Sequence, residues 1–155
     1  MILAEALARR SDTMKHLEQL RARIFMNISH LEGDIPQEEP LEMLNEADAL
    51  AEELEDWIRR INRTNASTQL DDEMSLTDAL ARRDALRLRH SLWSGAADHA
   101  ASDPSLQYRN SRDDLRLVAS MPVPALRRVA EDLAREIRTL DLRIQSVNWR
   151  TELID

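Results

Sequence analysis

The sequence predicts an all-α protein: two antiparallel helical hairpins, internally duplicated, in a four-helix arrangement. Three observations carry this. The 155 residues include only two glycines and five prolines, 3% are aromatic, and Ala, Leu, Arg and Glu are abundant, the composition of a helical chain. Apolar residues recur at steps of four and three along four long stretches, which is the spacing of a packed helix face. Finally, Leu3-Ala4-Glu5-Ala6-Leu7-Ala8-Arg9-Arg10 returns as Leu76-Thr77-Asp78-Ala79-Leu80-Ala81-Arg82-Arg83, identical at six of eight positions. Self-similarity of this kind marks a repeat architecture.

The first helix is expected from Leu3 to about Leu31. Its apolar row reads Leu3, Leu7, Met14, Leu17, Ile24, Ile28 and Leu31, with Arg10 and Arg21 in the remaining seam places. A second row, Ala6 and Leu20 with Phe25 nearby, widens the stripe. Gly33 fits a C-terminal cap, and Pro36 cannot continue a helix. The second helix is expected from near Pro40 to near Asn65, on the row Met43, Ala47, Leu50, Leu54, Trp57 and Ile61, with Leu44, Ala51 and Ile58 beside it. Early acids (Glu42, Glu46) and late bases (Arg59, Arg60, Arg63) suit its dipole. A connection of under about ten residues folds the two helices back as an antiparallel hairpin. Polar residues 64–75 read as a loop.

The third helix opens at Ser75, where Ser75 and Asp78 match a capping pattern. Its row is Leu76, Ala79, Leu86, Trp93, Ala97 and Ala100, with Arg83 and His90 filling seam places. Pro122 and Pro124 mark the start of the fourth helix, since a first turn has no use for the missing N–H groups. That helix carries Leu126, Ala130, Leu133, Ile137, Leu140, Ile144 and Val147. Aligning Asn148 with Asn65 lays this row on that of the second helix without a gap. The offset between copies is 73 residues at the opening motif and 83 at the close. A single helical domain over 1–155 is therefore expected to hold hairpin repeats 3–65 and 76–148. The second has a longer internal connection at 102–121, where Leu117-Val118-Ala119 fits either an extended segment or a helical turn.

Composition excludes several function classes. Without cysteine there is no disulfide, thiolate metal site or thiol nucleophile. Two glycines are too few for a phosphate-cradling loop or a dinucleotide fingerprint. No window approaches the ~18 apolar residues of a membrane span. Met1 to Glu5 lacks the basic start of a signal peptide, so a cytoplasmic location is expected. A net charge of −8 weighs against a nucleic-acid partner, because phosphate contacts need a basic face. The charge is uneven: residues 32–56 hold eleven acids and no Lys or Arg, and Lys15 is the only lysine among 21 basic residues.

No catalytic, cofactor or metal motif emerges. A di-iron bundle wants a glutamate three residues before histidine, whereas Thr13, Asn27, Arg87 and Ala96 precede His16, His30, His90 and His99. Asp98 and His99 are adjacent and so splay apart on a helix. Trp57 and Trp93 sit in seams and read as core. Trp149, just past the last helix turn, is an interface candidate. The antiparallel pairing places Glu5, Arg9 and Arg10 near Asn62, Arg63 and Asn65. In the second copy it places Asp78, Arg82 and Arg83 near Gln145 and Asn148. These residues form a candidate polar cluster, serving either as an interaction site for an anionic group or partner, or as a network fixing hairpin register.

Leu3-x-Glu5-Ala6-Leu7, Ile61-Asn62-Arg63-Thr64-Asn65, Leu76-Thr77-Asp78-Ala79-Leu80 and Asn148-Trp149-x-Thr151-Glu152-Leu153 together resemble a family of short bacterial proteins labelled septicolysin-like. The resemblance covers the whole chain, and Asn-Arg-Thr-Asn is its most specific element. It implies an all-helical cytoplasmic protein of uncharacterised function and supplies no functional residues. The label hints at a cytolysin, but a helical pore-former needs a long apolar hairpin, and every helix here is studded with charge.

The expectation is a non-enzymatic structural or interaction protein. Its partner is itself, as a dimer or higher homo-oligomer held by heptad apolar faces, with another protein as a further possibility. Matched acidic (32–56) and arginine-rich (82–89, 127–143) surfaces are candidates for its contacts. The competing reading is a nucleic-acid- or ribosome-associated arm using Arg82, Arg83, Arg87 and Arg89.

Overall fold

The computed structural model describes residues 1–102 and 118–155. Four helices account for most of them: α1 (Leu3–Asn27), α2 (Pro40–Ser67), α3 (Leu76–Ala101) and α4 (Val123–Asn148). The described residues contain no strand, only two isolated bridge pairs. α1 packs on α2, and α3 packs on α4, as two antiparallel hairpins. The chain divides into two compact units, Met1–Thr77 with Gln145–Asp155, and Asp78–Ile144. Most of the expected 102–121 connection lies outside the described residues.

In the first unit, α2 buries the row its periodicity predicts. Met43, Leu54 and Ile61 are buried, while Ala47, Leu50 and Trp57 are half-buried. On α1 the outcome differs. Leu3 and Ile24 are buried and Leu7 and Leu17 half-buried, but the places between them belong to Ala6, Thr13, Leu20 and Asn27, and Met14 and Ile28 are left exposed. Met14 stays 42% exposed, Ile28 55% and Leu31 78%. Successive helix residues are turned by about 100°, so a row stepping by three from Leu3 and one stepping by four are adjacent stripes. The stripe with smaller residues faces α2. Leu20, Ile24 and Met43 form a contiguous apolar cluster, with Ala47 and Leu50 against it. Each buried Leu or Met side chain contributes about 1.5–3 kcal/mol through removal from water.

α1 also ends at Asn27, four residues before the expected Leu31, so the connection covers residues 28–39. Buried Asn27 explains the stop. Its Oδ1 accepts from the backbone N–H groups of Gln37 (3.0 Å) and Glu38 (3.2 Å), and its Nδ2 donates to the Arg23 carbonyl (3.0 Å). One side chain thus pins the returning chain to the last turn of α1, and continuing the helix would withdraw the loop from that clamp. Gly33 is not the cap; it sits within the loop at φ +95°, a backbone conformation that strains residues with a Cβ.

In the second unit the expected rows pack. Ala79, Leu86 and Ala97 of α3 are buried, with Arg83, His90, Trp93 and Ala100 half-buried. On α4, Leu126, Ala130, Leu133, Leu140 and Ile144 are buried and Ile137 is half-buried. At the start of α4 the Pro122 carbonyl accepts from Ala125 N–H (3.0 Å) and Leu126 N–H (3.3 Å), as a proline-led first turn allows.

Candidate functional site

In the first unit, no hydrogen bond or ion pair joins Glu5, Arg9 or Arg10 to Asn62, Arg63 or Asn65. Glu5 turns back to its own helix start, where Oε2 accepts from Ile2 N–H at 3.2 Å, satisfying one of the free N-terminal donors. Arg9 and Arg10 are exposed, Asn62 is exposed, and Asn65 is half-buried. Arg63 reaches away, its Nη1 donating to the Asp155 carbonyl at 2.9 Å. In the second copy Arg82 pairs with Glu136 (2.6 Å), and Arg83 contacts Asp84 (3.1 Å) and Asp141 (4.0 Å). Asp78 is engaged in a polar contact, and Asn148 is half-buried.

The first unit instead contains a fastening that periodicity does not reveal. The extended C-terminal residues lie against the start of α1. Leu3 N–H donates to Thr151 O (2.8 Å), Leu153 N–H donates to Met1 O (2.9 Å), and Ile2 faces Glu152 in an antiparallel bridge. Thr64, fully buried, anchors the same segment from α2: its Oγ1 accepts from Ile154 N–H (3.0 Å) and donates to Arg60 O (2.8 Å). The Thr64 carbonyl in turn accepts from Thr68 N–H and from the Thr68 and Ser67 hydroxyls. Arg60 lies over the Trp57 ring, 5.4 Å from its centroid, and pairs with Asp155. Residues 151–155 are therefore clasped from two sides, Thr151 and Leu153 by the start of α1, and Ile154 and Asp155 by Thr64, Arg63 and Arg60 of α2. Thr64→Val keeps the shape and removes the acceptor, leaving Ile154 N–H unpaired. It is expected to cost about 1–2 kcal/mol, read by urea denaturation, with hydrogen exchange at Ile154 accelerated.

The exposed arginines are mostly occupied. Besides Arg82 and Arg83, Arg87 pairs with Asp141 (3.1 Å), Arg127 with Asp98 (3.8 Å), and Arg135 with Asp132. Three of the four arginines proposed for a nucleic-acid arm thus have carboxylate partners within their own unit. Hydrogen bonds and charge from Arg23 hold the Glu38 carboxyl below its ordinary range, and Arg59, then Arg60, do the same to Asp56. These pairs are exposed, so they fade with salt and contribute little to stability.

Between α3 and α4 a shallow cleft of about 200 Å³ is lined by His90, Ser94, Asp98, Arg127 and Glu131, with alanines at its floor. That is below the ~300 Å³ at which small-molecule pockets begin. Among the described residues no three His, Asp or Glu side chains are grouped to hold a metal ion, and no helix is long and apolar enough to cross a membrane.

What remains is one side of the first hairpin. On its opposite side the α1–α2 pairing is closed by polar contacts: Thr13 Oγ1 to Glu53 (3.3 Å), His16 to Glu46 (3.5 Å), and Arg23 Nε to Glu38 (3.1 Å). The same register sets Leu7 level with Ile58, Met14 with Ala51, and Arg21 with Leu44 along the other side. There Met14 and Leu44 are 42% exposed, Ile58 is 38% exposed, and Arg21 lies over the exposed Phe25 ring.

With that geometry in hand, the model of a family of unknown function, DUF6847, matches residues 10–153. The chain belongs to the DUF6847 family. A crystal structure described as a functionally unknown conserved protein from Corynebacterium diphtheriae is similar at 41% sequence identity. The match covers 99% of each chain with a TM-score of 0.87. No curated protein matches. These findings give a family of unknown function and contain nothing of the septicolysin-like label.

Proposed function

We propose that this DUF6847 member is a non-enzymatic interaction module: a duplicated helical hairpin that associates with a second copy of itself through apolar helix faces. The supporting observation is the set of apolar side chains on regular heptad positions that the chain leaves in solvent, led by Met14, Leu44 and Ile58. Scattered exposed apolar residues are ordinary, but a contiguous row at helix spacing marks an interaction surface.

Duplication is part of this reading. At the 73-residue offset, Leu3 and Leu76, Ala6 and Ala79, Thr13 and Leu86, and Ile24 and Ala97 are buried in both copies, while Leu17 and His90 are half-buried in both. Of the expected cluster, Glu5 acts in this reading as a helix cap, Arg82 and Arg83 as members of ion pairs, and Arg63 as a clasp contact. A cytoplasmic setting suits a chain free of cysteine. The ion pairing of Arg82, Arg83 and Arg87 disfavours the nucleic-acid arm, and the charge along every helix disfavours the membrane-active reading. Light scattering of the full chain tests the proposal. A concentration-dependent mass rising towards twice 17.9 kDa is expected, and a mass of 17.9 kDa up to about 100 μM refutes it.

A further inference from the structure

We infer that the specific self-association surface is the Leu7–Met14–Arg21 and Leu44–Ala51–Ile58 side of the first hairpin, and that α1 of one protomer lies along α2 of its partner. The inference rests on the proposed self-association and names its surface and geometry.

The first hairpin is chemically asymmetric. Both helices carry the same kind of seam, yet one flank is closed by carboxylate contacts and the other is apolar at two of its three levels, with Arg21 opposite Leu44 at the third. Those levels recur every seven residues, about 10.5 Å apart, so the row presents a knob spacing that an identical row can fill.

The other hairpin does not share this flank. At the same offsets its corresponding positions are Leu80, Arg87 and Ser94 on α3, and Arg127, Ala134 and Asp141 on α4. This flank is polar and carries the Arg87–Asp141 ion pair at 3.1 Å. The apolar flank is therefore peculiar to the first hairpin and does not follow from helical packing as such.

Area and charge point to a second copy as the occupant. From Leu7 to Phe25 the face runs about 27 Å, two helix diameters wide, which gives roughly 540 Å² per protomer. Doubled by a two-fold axis, that reaches the ~1,000 Å² a specific interface needs. Arg21 is the one cation within the row. Asp48 and Glu55, both exposed, follow Leu44 and Ala51 by four residues and so edge the α2 side. A two-fold axis along the hairpin sets α1 over the partner copy's α2, which brings Arg21 towards the acidic edge and Leu7 onto the Ile58 level. Laying α1 over α1 would leave Arg21 among apolar side chains.

Sedimentation velocity on the full chain, Ile58→Glu and the control Leu88→Glu (an exposed α3 residue) tests the surface. Ile58→Glu is expected to weaken dimerisation by about a hundredfold or more at unchanged helicity, while Leu88→Glu leaves it unchanged. A monomeric parent chain defeats the self-association reading itself. A dimeric parent that Ile58→Glu leaves intact defeats only the surface. Disulfide trapping reads the geometry without a disruptive charge, because the chain has no cysteine of its own. Mixing separately purified Met14→Cys and Ala51→Cys chains should give the mixed disulfide. A Met14→Cys chain that instead links efficiently to itself overturns the α1-on-α2 arrangement.

Discussion

Replacing Leu3 with alanine is expected to destabilise the protein by about 3 kcal/mol, among the largest effects available to a single substitution here. Leu3 is fully buried and begins α1 at the level of Ile61 and Thr64. It is also tied by its backbone to Thr151 of the clasp. Leucine-to-alanine truncation loses the transfer free energy of the removed carbons and leaves a cavity, and the total depends on how far the surroundings collapse. Collapse is restricted at this position. Ile61 and Thr64 belong to a regular helix, and Thr64 is fixed by hydrogen bonds to Arg60 and Ile154. Urea denaturation should show a lower midpoint at an unchanged slope. Leu88→Ala, on an exposed position of α3, should shift it by less than about 0.5 kcal/mol.

Asn27→Ala is expected to cost about 2–3 kcal/mol and to loosen the α1–α2 connection more than the fold. The alanine removes the acceptor shared by Gln37 and Glu38 N–H and the donor to Arg23 O. Leaving these part-buried donors without partners incurs a desolvation cost on top of the lost bonds. Relieved of the clamp, α1 has apolar Ile28 and Leu31 ahead of it and no proline before Pro36. Amide exchange at Gln37 and Glu38 should therefore rise far more than exchange in the middle of either helix. Uniform acceleration across both helices would show that Asn27 supports the core and not the loop.

The all-helical hairpin architecture was legible in the sequence, because four-and-three spacing and helix breakers report directly on which face a helix buries. α1 shows where this fails. Leu7, Met14 and Ile28 are more hydrophobic than Ala6, Thr13 and Asn27, so a reading by hydrophobicity selects the wrong one of two adjacent stripes. The repeat held the right answer. The α3 row Leu76, Ala79, Arg83, Leu86, His90, Trp93, Ala97 and Ala100, moved back 73 places, falls on Leu3, Ala6, Arg10, Thr13, Leu17, Leu20, Ile24 and Asn27. The displaced stripe keeps its own meaning, since residues apolar enough to pass for core yet left in solvent are what a second chain would cover.

The clasp was not legible for a different reason. The Thr64 to Ile154 hydrogen bond joins residues 90 apart, and neither turn chemistry nor periodicity encodes a contact at that separation. Only the concentration of Asn, Arg and Thr at 62–65, opposite the Asn148 to Leu153 close, signalled that those residues had a task beyond helix formation. In the first unit Glu5, Arg9 and Arg10 share no hydrogen bond or ion pair with Asn62, Arg63 or Asn65, because proximity at a hairpin end does not decide pairing. Arginine takes whichever carboxylate or carbonyl has the better geometry, and for Arg63, Arg82 and Arg83 that partner lies outside the cluster.

Thiol labelling at two adjacent positions, each in its own single-cysteine chain, separates the stripe of α1 that faces α2 from the one a second copy would cover. Thr13→Cys places the thiol in the buried row and Met14→Cys places it in the exposed one. The account predicts slow labelling of Thr13→Cys at every protein concentration, and fast labelling of Met14→Cys in dilute solution that slows as the concentration rises and the face is covered. Fast labelling of Thr13→Cys beside a concentration-independent, protected Met14→Cys would contradict it.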